Sequence, residues 1–136
     1  MDEVFPVTPD EEKARSILKM VELRHEMIAG ADRVKFASPL LEQHYEMLKE
    51  LATALMNLDG LKTLGHVGLL EHLRRNYSGE LGEADLEFLN ELRRLRNKIA
   101  YEGYFVNPDF LDRNLARMES LFRKMIGLLR KKIPDK

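Results

Sequence analysis

Apolar residues recur at spacings of four and three along most of this chain, and no useful length of it alternates with period two. That pattern calls for helices. Residues with a branched β-carbon, which favour strands, are sparse. Leu41, Tyr45, Leu48, Ala52 and Leu55 mark one bundle seam, and Leu111, Leu115, Met118, Phe122, Met125 and Leu129 mark another. The spacing predicts five helices, over about Pro9–Ala29, Ser38–Asp59, Val67–Tyr77, Gly82–Glu102 and Asn107–Lys132. Short turns between them imply an all-α, antiparallel, up-and-down five-helix bundle. With no repeat and no linker long enough to divide it, 1–136 reads as one domain, large enough to bury a core without disulfides.

The punctuation agrees. Thr8 is the expected cap of the first helix, with Pro9 at its first position and acids in the first turn. Ser38-Pro39 opens the second in the same way, and Asp59-Gly60 ends it. Asn76-Tyr77-Ser78-Gly79 reads as a turn. The first helix carries Ile17, Leu18, Met20, Val21, Leu23, Met27 and Ile28, more apolar surface than one narrow stripe requires. It is expected to meet two neighbours, or one neighbour and a second subunit.

Composition restricts the functional classes. A hydrophobic content of 44% beside 33% charged residues describes a folded chain. No apolar run approaches the roughly 18 residues of a membrane helix. The acidic start, Met1-Asp2-Glu3-Val4-Phe5-Pro6, lacks the basic and apolar regions of a signal peptide, so a cytoplasmic protein is expected. There is no cysteine for a disulfide or a thiolate metal site. Net charge is −1, but residues 1–68 hold 8 Lys+Arg against 12 Asp+Glu, and Leu92–Lys132 holds 11 against 4. A basic second half suits a phosphate backbone or an acidic partner, and also an ordinary solvated face.

The chain centres on Leu92-Arg93-Arg94-Leu95-Arg96-Asn97-Lys98-Ile99-Ala100-Tyr101-Glu102-Gly103-Tyr104. Phe88, Leu92, Leu95 and Ile99 form its buried stripe, with Arg96 and Asn97 at the polar margin. Gly103 is placed to stop the helix in a left-handed conformation. An arginine, an asparagine and a tyrosine are thus carried on rigid backbone beside a sharp exit.

Arg96-Asn97-x-x-x-Tyr101-x-Gly103, before a long final helix, resembles the signature of the HEPN superfamily, in particular its small single-domain prokaryotic members. The resemblance implies a helical bundle, usually a homodimer, and in many members a metal-independent endoribonuclease needing no cofactor. Many such proteins pair with a nucleotidyltransferase as toxin–antitoxin modules. The family's motif is an arginine, often followed by a polar residue, then a histidine four to six residues on. Arg96 and Asn97 match its first part, and Tyr101 stands where the histidine belongs.

By that resemblance Arg96 would bind the scissile phosphate through its planar fork and Asn97 would orient groups around it. A tyrosine is a poor base at neutral pH, but Tyr101 can donate a hydrogen bond or stack on a base. Lys98, Tyr104 and His66 are the further candidates for substrate binding. Two functional classes follow: an RNA- or nucleotide-binding protein with or without cleavage, and a non-catalytic protein-interaction or dimerisation module.

Other motifs are weaker. Glu22-x-x-His25 has the helical spacing of a di-iron ligand pair, yet no second copy exists, and a surface pair is expected. Gly60-Leu61-Lys62-Thr63-Leu64-Gly65 spaces its glycines like a phosphate loop but lacks the following Lys-Ser/Thr and a preceding strand. It reads as a helix connection. No Gly-x-Ser-x-Gly elbow supports a serine nucleophile.

Overall fold

The structure is a computed structural model that describes residues 3–134. In chain order it runs β1 (Val4–Pro6), α1 (Glu11–Ile28), α2 (Ala37–Leu58), β2 (Leu61–Thr63), α3 (His66–Asn76), α4 (Glu83–Glu102) and α5 (Pro108–Lys132). It is an all-α bundle with one addition. β1 and β2 pair antiparallel in the register Val4↔Thr63, Phe5↔Lys62, Pro6↔Leu61. Three residues are too few for a period of two to show in sequence. The pairing is extended by backbone and side-chain bonds, Val7 N–H to Gly60 O at 2.9 Å and Thr63 Oγ1 to Glu3 O at 3.0 Å.

The four long helices alternate in direction. Arg24 meets Glu50 and Asp10 meets Asn57, so α1 and α2 are antiparallel. Ser38 meets Val106 and Glu46 meets Arg96, which sets α4 antiparallel to α2. Glu22 meets Arg130 at the antiparallel α1–α5 boundary. The shorter α3 packs across α2 and α4. The central helix is α2, in contact with α1, α4 and α5. Its predicted seam, Leu41, Tyr45, Leu48, Ala52 and Leu55, is 0–3% exposed. Each such leucine contributes about 1.5–3 kcal/mol by leaving water.

Two helix starts differ from the sequence expectation. Asp10, not Thr8, caps α1: its carboxylate accepts the Lys13 N–H at 3.0 Å, and Pro9 lies outside the helix. Asp10 wins because its own N–H is fixed by Asn57 Oδ1 at 2.9 Å, an α2 contact invisible in local sequence. α2 begins at Ala37 without a side-chain cap. Ser38 instead lies in its first turn, buried, and accepts the Val106 N–H at 2.8 Å. The other ends match expectation: Gly103 has φ 66°, and Asn107 caps α5 with Pro108 in the first turn.

Only Ala14 and Val21 of α1 are fully buried. Ile17, Leu18 and Ile28 pack partly against the core, while Met20, Leu23 and Met27, at spacings of three and four, form an outward row 51–71% exposed. No helix among the described residues is long and apolar enough to cross a membrane.

Candidate functional site

α4 projects Arg93, Arg96 and Asn97 at spacings of three and one, so all three leave the same side of the helix. Opposite them stand Tyr45, Lys49, Thr53 and Asn57 of α2, Lys13 of α1, and the segment from Leu61 to His66. Together they enclose a cleft of about 470 Å³. Ala14, Ile17, Ala54 and Leu69 give it apolar walls. Lys13, Lys49, Lys62, Arg93 and Arg96 give it five cations, and its lining includes no carboxylate.

Arg96 is the most constrained of these cations. Its Nη2 donates to Glu46 Oε1 and its Nη1 to Asn97 Oδ1 at 3.2 Å. The guanidinium also lies 5.7 Å from the Tyr45 ring centroid, near enough for a cation–π attraction. Glu46 lies 3.7 Å from Lys49 as well, so one carboxylate holds two of the cleft's cations. The Tyr45 hydroxyl shares a hydrogen bond with His66 Nδ1 at 3.3 Å. Burial pushes the Tyr45 phenol above its ordinary range; Arg96 opposes this and Glu46 adds to it. Tyr45 is therefore neutral at physiological pH. The result is a chain of contacts, Glu46–Arg96–Tyr45–His66, that crosses from α2 and α4 to the start of α3.

The structure brings Arg96, Asn97 and His66 into one cleft and leaves Lys98, Tyr101 and Tyr104 outside its lining. Tyr101 is 76% exposed on the outer continuation of α4. Lys98 Nζ lies 5.5 Å from the centroid of Tyr104, beyond the helix end. Lys13, Lys49 and Lys62 are not legible as site residues in the sequence, whose positive charge is concentrated in the second half. Three of the five cleft cations come from the first half, from three different elements. Tyr45 could be placed on the buried seam by its spacing. Its polar tip, bonded to His66, could not.

The remaining histidines have other partners. His25 Nε2 lies 2.7 Å from Glu119 Oε2 and its ring stacks on Phe122 at 4.3 Å, while Glu22 bonds Arg130. Glu22 and His25 thus hold separate α5 partners instead of each other. Burial lowers the His44 pKa, against the raising effect of Glu119, and His25 lowers it further. His72 belongs to a buried network at Asp59, 2.8 Å away. Among the described residues no group of three or more His, Asp or Glu is placed to hold a metal ion. The Gly60–Gly65 segment contains β2 and lines the cleft. Comparison with known proteins finds no matching family model, curated protein or solved structure.

Proposed function

We propose that this chain is a HEPN-like protein whose cleft binds the phosphates of RNA. The observation that carries the reading is the convergence of five cations, offset by the single carboxylate of Glu46, around Arg96 and Asn97. Such a surface attracts a polyanion despite the chain's net charge of −1, because the local field, not the total, guides the ligand. A phosphate entering the cleft takes two bonds from the Arg96 fork in place of Glu46, and neighbouring phosphates meet Lys49, Lys62 or Arg93. Asn97 remains to orient the guanidinium.

Metal-independent cleavage of RNA needs a group to take the 2′-hydroxyl proton, charge to stabilise the phosphorane and a group to protonate the leaving oxygen. In this reading Arg96 supplies the charge, and the hydrogen-bonded Tyr45–His66 pair takes the 2′-hydroxyl proton and returns one to the leaving 5′-oxygen, in place of a histidine at position 101. Met20, Leu23 and Met27 support the homodimer part of the proposal, since a row of exposed apolar side chains on one helix is a natural self-association surface. A nucleotidyltransferase partner and a toxin–antitoxin setting follow from the resemblance alone.

The test is incubation of the purified protein with cellular RNA in EDTA, beside Arg96→Ala and His66→Ala. Binding lost in Arg96→Ala and weakened by salt supports the reading. Fragments with 2′,3′-cyclic phosphate ends that disappear in both variants add the ribonuclease step. A folded Arg96→Ala protein that binds RNA as tightly as the parent overturns it. Leu23→Glu should shift sedimentation from dimer to monomer. A parent protein already monomeric at high concentration removes the dimer.

A further inference from the structure

Among the described residues, five aromatic side chains are exposed, and four of them, Phe36, Tyr101, Tyr104 and Phe105, belong to one end of the bundle. Tyr101 and Phe105 are 76% and 85% exposed. The backbone that presents them is fixed. The buried Ser38 hydroxyl accepts the Val106 N–H at 2.8 Å, which ties the turn carrying Tyr104 and Phe105 to the start of α2, beside Phe36. The left-handed Gly103 lets its own N–H and that of Tyr104 both donate to Lys98 O. Four exposed rings at one end of the bundle, on a hydrogen-bonded mount, call for an occupant.

Two features select its chemistry. Lys35 Nζ lies 5.3 Å from the Phe36 centroid and Lys98 Nζ 5.5 Å from that of Tyr104, and neither lysine forms an ion pair among the described residues. Rings interleaved with uncompensated cations match a strand of alternating bases and phosphates. The patch also continues the cleft. Arg93 and Asn97 line the cleft, and Tyr101 follows at the same spacing of four, so it extends that face of α4. Tyr101 lies about 6 Å along the axis beyond Asn97.

We propose that this end of the bundle is a stacking platform for the unpaired bases of single-stranded RNA whose phosphates run into the cleft. The inference rests on the phosphate-binding reading of that cleft and adds the substrate class: single strands, not duplexes. A duplex hides its base faces and leaves the rings without partners.

The experiment is fluorescence anisotropy on the full chain with three labelled probes. These are a single-stranded RNA, its duplex, and an abasic sugar–phosphate strand of equal length. The single strand should bind at least about fivefold more tightly than either other probe, the effect of one stacked base. Tyr101→Ala combined with Phe105→Ala should lower its affinity to the abasic level and leave abasic binding unchanged. Both side chains are largely in water, so these variants should melt like the parent. Equal affinity for single and abasic strands, or variants that bind RNA normally, overturns the platform while the cleft reading stands. Binding to anionic lipid vesicles that the same variants lose, with RNA affinity intact, overturns it in favour of a membrane surface. Failure of the parent to bind any of the three probes overturns the cleft reading itself.

Discussion

Replacing Asp59 with alanine should cost far more than its place at a helix end suggests. Asp59 Oδ2 accepts from Tyr77 Oη at 2.6 Å and lies 2.8 Å from His72 Nε2, while Oδ1 accepts from Lys132. Tyr77 and His72 are each only 6% exposed. Truncation would leave two buried polar groups without their acceptor, at about 1–3 kcal/mol each. The Lys132 side chain, 41% exposed, adds little because water replaces its partner. The total is about 4 kcal/mol, equivalent to a fall in melting temperature on the order of 15 °C for a chain of this size. Asp59→Asn keeps one acceptor oxygen and should cost about half as much. Thermal unfolding followed by far-UV circular dichroism measures both. An alanine variant that melts within about 2 °C of the parent refutes the reasoning.

The same network sets a pH signature. Burial alone would raise the Asp59 carboxyl, but hydrogen bonds from Lys132, Tyr77 and His72 outweigh it and hold the group below its ordinary range. Its stabilisation is complete above the unfolded carboxylate value of about 3.9. It is lost as pH falls through the lower folded value. Burial, then the hydrogen bond to Asp59, pushes the Tyr77 phenol well above its ordinary range. The unfolded chain gives up that proton near pH ~10 while the folded chain retains it, so stability falls as pH rises past that point. Asp59→Ala should flatten the acid limb. Because the next residues, Leu61 to His66, line the cleft, the variant should also weaken RNA binding measured at a temperature where it remains folded.

Glu46→Gln should tighten RNA binding about two- to fivefold, the worth of a partly exposed ion pair no longer competing for Arg96; unchanged or weaker binding in anisotropy refutes this. Gly103→Ala should lose about 1–2 kcal/mol in urea unfolding from its left-handed φ of 66° alone, since an added Cβ meets nothing within 4 Å. A neutral result would mean that the α4 exit relaxes. Ser38→Ala should cost about 1–3 kcal/mol by stranding the Val106 N–H. It should speed hydrogen exchange at Val106 specifically, and protection equal to the parent's would sink the role given to that bond.

Helices were legible because their signals are local. The α2 and α5 seams follow from spacing, and Gly103, Asn107 and Pro108 punctuate as residue types predict. What failed to show was decided between elements. Asp10 displaced Thr8 as a cap through an Asn57 contact 47 residues away, and Ser38 serves a turn 68 residues away. β1 and β2 hold each other across the span from Pro6 to Leu61, so neither three-residue strand has a pattern of its own.

The cleft was half legible for the same reason, and its assembly bears on the ligand. Arg96 and Asn97 were readable as neighbours on one helix margin, but Lys13, Lys49 and Lys62 reach them only through the folded backbone. Glu46 already satisfies Arg96, which is 23% exposed in its side chain, so a lone phosphate must exchange one good anion for another and gains little. The four other cations change that balance, since Lys13, Lys62 and Arg93 have no carboxylate partner among the described residues. A ligand with several phosphates in series engages them together and releases several counterions at once. Affinity should therefore climb steeply with oligonucleotide length and fall steeply with salt. A mononucleotide that binds as well as a longer strand would contradict this account of the cleft.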